Sequence, residues 1–424
     1  MSGVFALRAL NQRTWRVMVE PTAPWEIPAF RRWLQLRVFG AMAAQIQFTA
    51  IGWWVYEVTG DTLDLAWVGL AQFLPVLTLS LFGGQLADRY DRRLVLGLAW
   101  LTQALCAVGF ATLSAQGYAE TPLLFALCFL MGTGRALGNP SGQAIAATLV
   151  PPALLSRAVA ASTAVFQAST LIGPSLCGGL IAWTGGATAA FTLAAIFPVI
   201  SALGVATLPL QRSAPRAITV EALIEGLRFA WDSRMLFACI SLDLFAVLLG
   251  GATALLPVVA ADVLKVGAEG YGILRAAPAV GAGVVALGLA WRPMERHVGP
   301  RMLLSVAGFG AATVVFGLST SFPLSLAALV ALGACDMVSV VIRQTLVQLY
   351  TPDEMRGRIS AVNLVFIGAS NELGEFESGL TARLWGVVRA VVFGGVGTLM
   401  ITGIWALIFP ELRRTDRVTD HRRN

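Results

Sequence analysis

The sequence predicts an all-helical integral membrane protein in which twelve transmembrane helices form two related six-helix bundles. Three observations support this fold class. The 424 residues are 57% hydrophobic and only 13% charged, whereas soluble domains average about 25% charged residues. Apolar runs repeatedly reach the roughly 20 residues that a helix needs to cross a bilayer. Residue types also recur at one constant offset between the two halves of the chain.

The apolar runs divide the chain into twelve expected spans. They must be helices, because strands with open edges leave backbone groups without hydrogen-bond partners in lipid. The expected units are a cytoplasmic segment 1–32, a first bundle 33–210, a linker 211–234, a second bundle 235–410 and a cytoplasmic tail 411–424. The predicted spans are 33–57, 63–87, 93–114, 121–148, 156–183, 187–210, 235–260, 269–291, 300–319, 322–348, 357–384 and 387–410.

Arginine placement predicts the orientation of the spans, because cytoplasmic connections carry the excess of basic residues. One alternate set of connections holds most of the arginines, and both termini belong to that set. Both ends are therefore expected in the cytoplasm. The linker belongs to the same side, and Val220, Leu223, Leu227 and Trp231 follow helical spacing within it. We expect this amphipathic helix to lie on the cytoplasmic membrane surface.

The two halves repeat at an offset of 201 residues. The matches fall in and between spans four and five, and spans ten and eleven. Such parallel repeats, related by an axis along the membrane normal, occur in secondary transporters. The matched pairs are Gly132 and Gly333, Gln143 and Gln344, Pro151 and Pro352, Arg157 and Arg358, Gly173 and Gly374, and Gly178 and Gly379.

Several function classes are disfavoured by composition. The net charge of +6 comes from arginines that cluster between apolar runs, so it does not indicate nucleic-acid binding. The five cysteines lie inside apolar segments and are expected to be small buried residues, not disulfides or metal ligands. The spans contain neither a His/Cys/Asp metal cluster nor a nucleophile–base pair, which argues against a membrane-embedded enzyme. We expect no cofactor, and a phosphate-binding loop of an ATP-driven pump is not found.

A hydrophilic turn separates spans two and three. The stretch LFGGQLADRYDRRLVL, Leu81 to Leu96, carries five charges within six positions, and we expect the chain to turn at Asp88. The pattern resembles the signature loop of the major facilitator superfamily, although Asp91 stands where that family usually has glycine. The resemblance implies that Asp88 caps or pairs at a helix N-terminus. It also implies a gating loop that holds the inward side closed, formed here by Gly84, Asp88, Arg89, Arg92 and Arg93. The alternative is a topological stop, since any cytoplasmic loop favours arginine.

A glycine-rich element lies in span five. Gly173, Pro174 and Gly178 resemble the Gly-Pro-x-x-Gly-Gly element of exporters in this superfamily, with a spacing one residue longer or a cysteine in place of the first paired glycine. The resemblance favours export over import. The alternative is close helix packing through small residues, which any membrane bundle uses.

An arginine lies inside the apolar run of span four. Arg135 at mid-span costs at least about 2.5–3.5 kcal/mol, so it must face a partner or water. The repeat places Asp336 of span ten at the equivalent position. The two could pair with each other or could both line a central cavity. A purely structural ion pair between helices is the alternative.

Span eleven carries carboxylates on an apolar helix. Glu372 and Glu375 are three residues apart and share a face with Asn371. Crowded, poorly solvated carboxyl groups favour the state in which one carries a proton. We therefore predict that these two glutamates couple transport to protons; a water-exposed cluster at the outer end is the alternative. Asn371 is predicted to line the cavity, and Gln45 in span one and Asp243 in span seven are further cavity candidates, although Asp243 could be interfacial.

Two stretches, 135–160 and 356–379, resemble the branch of the superfamily that contains the enterobactin exporter and related secretion permeases. The resemblance implies export of a small molecule, with a siderophore as one candidate, by proton antiport and alternating access in the bacterial inner membrane. Expected partners are the substrate, protons and the bilayer, and the protein is expected to act as a monomer. A multidrug or macrolide efflux pump is the alternative within transport. A non-transporting receptor is disfavoured, since no sizeable soluble domain is present.

Overall fold

Twelve membrane-spanning segments form two six-helix halves, as predicted. The computed structural model describes residues 23–117, 121–210, 220–292, 294, 296–352 and 354–416. Within these residues, ten spans are long and apolar enough to cross a membrane, and α4 and α11, which are 28 and 30 residues long, complete the two halves. The helices are α1 Pro28–Thr59, α2 Thr62–Arg89, α3 Arg92–Gln116, α4 Thr121–Thr148, α5 Leu155–Thr184, α6 Thr188–Val205, α7 Arg234–Leu249, α8 Gly267–Trp291, α9 Val298–Leu318, α10 Phe322–Tyr350, α11 Arg356–Trp385 and α12 Val387–Ile408.

The successive helices run in opposite directions, so the bundle has two ends. We call the end where α1 begins and α12 ends the terminal side, and the opposite end the far side. The turn between α1 and α2 lies on the far side, where Gly60 adopts a φ of 62° and Asp61 caps α2. The Asp61 carboxylate accepts a hydrogen bond from the Leu63 backbone N–H at 2.9 Å.

The turn between α2 and α3 differs from the sequence prediction. The helix α2 continues through Arg89, so Asp88 is still helical and the chain turns at Tyr90 and Asp91. Asp91 is the cap, and its carboxylate accepts from the Arg93 backbone N–H at 2.9 Å. Asp88 therefore does not cap α3, because the residue next to the first free backbone N–H groups is Asp91. The surroundings of Gly84 and of the Asp88 side chain lie outside what the structure describes.

The seventh span is interrupted, whereas the sequence predicted one continuous helix over 235–260. The break follows Leu249, and short helical turns then continue to Val263. A Cβ atom placed on Gly251 would lie 2.7 Å from the Ser378 Oγ in α11, so the backbone itself packs against α11. Beyond the break, Pro257 lies within 3.5 Å of a Cβ placed on Gly52 in α1. The interruption thus brings the far-side end of this span against the other half.

The internal repeat is visible in how α5 and α11 pack. A Cβ placed on Gly173 would lie 2.6 Å from the Gln45 Cβ of α1. A Cβ placed on the repeat-related Gly374 would lie 2.8 Å from the Val247 carbonyl oxygen of α7. Since α1 and α7 are the first helices of their halves, the two glycines occupy equivalent places.

The halves meet through two further repeat-related contacts, which we call the far-side seal. In the first contact, Gly178 of α5 packs on α8, where its Cβ would lie 3.0 Å from the Gly272 Cα. In the second, Gly379 of α11 packs on α2, where its Cβ would lie 2.6 Å from the Ala66 Cβ. Small residues allow this approach of helix backbones. Among the described residues, α4 and α5 make no extended packing contact with α10 or α11, so the halves stand apart on the terminal side.

The linker contains a helix, Val220–Asp232, as predicted. It packs on α11, where the Arg358 Nη1 lies 2.6 Å from the Glu225 Oε1. Leu227 and Trp231, two residues of the predicted apolar stripe, are exposed. The side chains of Val220 and Leu223 and all of residues 211–219 lie outside the described part of the chain. Contact with a membrane surface stays a prediction.

Candidate transport site

An ion pair joins the two halves near the middle of the molecule. Arg135 lies near the midpoint of α4, and Glu372 lies near the midpoint of α11. The Arg135 Nη2 is 4.0 Å from the Glu372 Oε1, and the two side chains are 39% and 14% exposed. The exposed part of the arginine indicates that the pair borders the space between the halves.

Arg135 pairs with Glu372 and not with Asp336. Among the described residues no ion pair joins Arg135 to Asp336, which is half-buried on α10. Residues related by the internal repeat occupy equivalent places in opposite halves, and this relation does not require that they touch. Both charges are evident in the sequence, whereas the partner of Arg135 is determined by how α4 and α11 pack.

Both predicted proton-coupling glutamates face α2 of the other half. A Cβ placed on Gly69 would lie 3.4 Å from the Glu375 Oε2 and 3.9 Å from the Glu372 Oε2. The two carboxylates therefore lie on the same face of α11, next to a helix that has no side chain at this point. In the described part of the protein the buried Glu372 Oε2 has no hydrogen-bond partner. A buried acceptor without a donor is costly, so this oxygen is suited to a proton or a substrate donor group.

A fourth ionisable residue inside the spans is Arg275 of α8, and we call Arg135, Arg275, Glu372 and Glu375 the charge cluster. The Arg275 guanidinium carbon lies 4.7 Å from the centroid of the Phe48 ring in α1, and its Nη1 donates to the Tyr271 Oη at 3.3 Å. Arg275 was not among the residues predicted from the sequence. Its signal was an arginine inside an apolar run, the same signal that singled out Arg135.

Aromatic side chains cover the charge cluster on its far side. The Trp53 ring of α1 stacks on the Tyr271 ring of α8 at 5.6 Å. The Trp67 ring of α2 meets the Phe376 ring of α11 edge-on at 5.5 Å. Both pairs join the two halves. Together with the far-side seal, they separate the cluster from the far side of the molecule.

Two polar contacts also join the halves at the far-side surface. Asp61 forms an ion pair with Arg383, which lies near the end of α11. The Tyr56 hydroxyl of α1 donates to the Asp262 carboxylate, which follows the interrupted span. Each contact uses one residue from each half, so both must break if the halves separate on this side.

The remaining predicted cavity residues have different surroundings. Asn371 is exposed beside Glu372. Gln45 is half-buried and packs on Gly173 inside the first half. Asp243 is buried within the second half, where it forms an ion pair with Arg343 of α10. In this structure its carboxylate neutralises a buried arginine, and its role as a cavity residue stays a prediction.

The Asp243–Arg343 pair is expected to stabilise the second half. Asp243→Asn would leave Arg343 buried without a counter-charge, which costs about 3–5 kcal/mol in comparable buried pairs. The expected result is a clearly lower melting temperature of the purified protein in detergent. The matched control is Asp61→Asn at the more exposed pair with Arg383, where about 0–1 kcal/mol is expected. Equal losses at the two sites would contradict this assignment.

The predicted gating residues lie on the terminal side. Arg89 is exposed, and Arg92 begins α3. Arg93 pairs with Asp91, with the Nη2 2.6 Å from the Oδ2, and its Nη1 donates to the Leu208 carbonyl oxygen at 3.0 Å. Leu208 follows α6, so the described side-chain contacts of Arg93 stay within the first half.

Comparison with known proteins identifies the family. The family described as "transmembrane secretion effector" matches residues 19–424, almost the whole chain. The chain belongs to the transmembrane secretion effector family. The chain is 28% identical to the enterobactin exporter EntS of Shigella flexneri over 396 residues, covering 91% of this chain and 93% of that protein. EntS of Escherichia coli O139:H28 matches at the same identity and coverage.

Solved structures of other transporters share the fold of this chain. A variant of the nucleoside transporter NupG matches with a TM-score of 0.72 at 12% identity, covering 90% of this chain and all of that chain. A bacterial homologue of the human lysosomal transporter Spinster, in an inward-facing and occupied conformation, matches with a TM-score of 0.71 at 13% identity, covering 93% and 100%. The protein is a multi-pass membrane transporter of the major facilitator type.

Proposed function

We propose that this transporter exports a small molecule across the bacterial inner membrane, driven by protons that move inward. The observation that carries the proposal is the Arg135–Glu372 pair. This pair joins the two halves near the middle of their helices and borders the space between them. It lies on the terminal side of the far-side seal. Ionisable groups at the midplane between two halves are typical of substrate and ion sites in such transporters.

The arginine distribution supports placing the terminal side in the cytoplasm. The far side then faces the periplasm, and the conformation described here is open to the cytoplasm. In this conformation a substrate from inside the cell could reach Arg135, Glu372 and Asn371. Asp336 of α10 is a further candidate for the wall of the same space.

Alternating access requires the halves to rock about this site. Opening the far side would break the seal, the Asp61–Arg383 pair and the Trp53–Tyr271 stack. Closing the terminal side would bring α4 and α5 towards α10 and α11. We propose that the gating loop of Gly84, Asp88, Arg89, Arg92 and Arg93 stabilises the state in which the terminal side is closed. We further propose that the glycine-rich element of span five serves as the sliding surface of the seal.

Coupling is proposed to occur at Glu372 and Glu375. The unpartnered Glu372 Oε2 can accept either a proton or a donor group of the substrate. Competition for one acceptor makes the binding of proton and substrate mutually exclusive, as antiport requires. Because the chain is similar in sequence to enterobactin exporters, a siderophore is the first substrate candidate. Hydroxyl groups of such a substrate could donate hydrogen bonds to the Glu372 Oε2. We propose a monomeric transporter without enzymatic activity.

Transport in proteoliposomes tests this proposal. Reconstituted protein is expected to move enterobactin against its gradient when a proton gradient is imposed, and a protonophore should abolish the movement. Empty liposomes serve as the control. Absence of proton-dependent movement of enterobactin and of a panel of cationic dyes would contradict the proposed function. Movement of dyes but not enterobactin would favour the second candidate, a broad-specificity pump, which the aromatic residues around the cluster also suit.

A further inference from the structure

One face of α1 borders the space between the two halves on the terminal side. Arg37, Ala41, Ala44 and Phe48 recur at helical spacing and form one stripe along this helix. The Phe48 ring contacts Arg275 of the other half, with 4.7 Å between the ring centroid and the guanidinium carbon, so the stripe faces the second half. Arg37 lies about 16 Å from Phe48 along the helix, towards the terminal side. The halves stand apart there, and Ala44 on the same stripe is exposed.

Arg37 carries a positive charge that no carboxylate neutralises among the described residues. It is half-buried, and its Nε donates to the Ser162 carbonyl oxygen of α5 at 3.4 Å. The described part of the chain offers no acceptor to its Nη1 and Nη2 groups. In the second half, by contrast, the buried Arg343 is paired with Asp243. An arginine inside a membrane span needs a partner or water, so an unpaired one indicates a place where a ligand can bind.

A second polar group without a partner belongs to the residue that Arg37 contacts. Ser162 is 7% exposed, and its buried Oγ has no hydrogen-bond partner in the part of the chain that the structure describes. Ser169 of the same helix instead donates to the Val165 carbonyl oxygen at 2.9 Å. Leaving a buried hydroxyl unpaired is costly, and a ligand that accepts its hydrogen bond removes that cost. The Ser162 hydroxyl is therefore an available donor beside the guanidinium.

Asn139 of α4 supplies a third polar group at the same depth. It is exposed and lies one turn after Arg135, on the face of α4 through which Arg135 contacts the second half. The Trp33 Cη2, one turn before Arg37 in α1, lies 3.8 Å from a Cβ placed on Gly142. Gly142 in turn follows Asn139 by about one turn of α4. Arg37 and Asn139 are thus level with each other on the wall of the first half.

We propose that Arg37, Ser162 and Asn139 form a subsite that binds an oxyanion of the substrate, a carboxylate or an ionised phenol. The inference rests on the proposed function and specifies the chemical class of its substrate. The planar guanidinium supplies the charge and parallel N–H donors that match a carboxylate. The serine hydroxyl and the asparagine amide supply neutral donors. Because Glu372 and Glu375 belong to the second half and repel an anion, the acidic end of the substrate binds to the first half.

Thiol labelling of the purified protein tests the subsite without any transported substrate. Ala44→Cys places a thiol on the same stripe, about 10 Å along the helix from Arg37. The ratio of its labelling rates with an anionic and a cationic methanethiosulfonate reagent reports the local charge. Arg37→Gln is expected to lower this ratio about fivefold. The protein without Ala44→Cys gives the background from its native cysteines.

Protection of the same thiol tests the binding of an oxyanion. Benzoate is expected to slow labelling by an uncharged maleimide, whereas benzamide, which has nearly the same shape without the charge, should not. Ser162→Ala should leave the charge ratio unchanged but raise the benzoate concentration needed for half-protection about tenfold. Its matched control is Ser169→Ala, which removes a hydroxyl already bonded within α5 and should change neither measurement.

Two arginine variants control for a change in folding or in overall charge. Arg37→Lys keeps the positive charge and should keep the ratio of rates within about twofold of the parent value. Arg31→Gln removes an exposed arginine of the same helix that lies about 20 Å from the thiol, so both measurements should be unchanged.

The results that overturn this inference differ from those that overturn the proposed function. An unchanged ratio of rates in Arg37→Gln, or the absence of selective protection by benzoate, removes the subsite. Proton-driven transport by the parent protein then leaves the proposed function standing. A protein that labels as expected but transports neither enterobactin nor the dyes contradicts the proposed function, and with it the assignment of the subsite to a substrate.

Discussion

Glu372→Gln is expected to reduce proton-driven efflux at least about tenfold while leaving the exchange of substrate across the membrane close to normal. Glutamine keeps the size of the side chain and can still contact Arg135, but it cannot take up or release a proton. Exchange needs the halves to rock and needs no net proton movement, so it should persist. The measurement compares efflux driven by a proton gradient with counterflow at equal pH, in the same proteoliposomes.

The control for this substitution is Glu57→Gln, which changes an exposed glutamate near the far-side end of α1. It should alter neither rate. Glu375→Gln is expected to behave like Glu372→Gln, because both carboxylates face α2 at Gly69. Normal proton-driven efflux in Glu372→Gln would remove this residue from coupling. Loss of exchange as well would assign it to substrate binding instead.

Gly178→Leu is expected to move the protein out of the conformation described here. A Cβ at this position would lie 3.0 Å from the Gly272 Cα, and the neighbouring atoms are backbone that cannot rotate away. Overpacking of this kind costs about 1–3 kcal/mol. Since only the state closed on the far side bears that cost, the ratio of the two states should change by about 5–150-fold.

Spin labels report this shift directly. Val159 and Ser360 are exposed residues on the terminal-side parts of α5 and α11, and they are related by the internal repeat. Labels at these two positions should approach each other in Gly178→Leu as the terminal side closes. Substrate exchange should fall in parallel, because both conformations are needed for it.

Gly179→Leu is the matched control, because nothing lies within 4 Å of a Cβ at that neighbouring glycine. It should leave the label distance unchanged. Gly379→Leu, the repeat-related counterpart of Gly178→Leu, should produce the same shift through its contact with Ala66. An identical label distance in Gly178→Leu and Gly179→Leu would contradict the far-side seal.

The terminal-side turn illustrates where sequence reasoning was close and where it failed. The positions of the charges located the connection between α2 and α3 to within a few residues. The choice between Asp88 and Asp91 as the cap depended on the last turn of α2, which continues through the charged residues. Helix ends surrounded by polar residues have no sharp hydrophobic boundary, so composition alone does not determine the residue at which the helix stops.

The charged residues between the halves were also predicted only in part from the sequence. An ionisable residue in an apolar run is conspicuous in any sequence, and Arg135, Glu372 and Glu375 were found for that reason. Asp243 carried the same signal, yet the structure places it in a buried pair with Arg343. Arg275, which contacts Phe48 of the other half, carried that signal too and was missed.

By itself, the sequence determined the twelve spans, the two related halves and the presence of ionisable side chains at mid-span. These properties follow from the length and polarity of short segments and from one repeated spacing, all of which are local or periodic along the chain. Only the tertiary structure decided that Arg135 pairs with Glu372 and that Gly178 packs on α8. Such pairings depend on the rotation and approach of helices that are far apart in sequence, and a linear pattern does not contain that information.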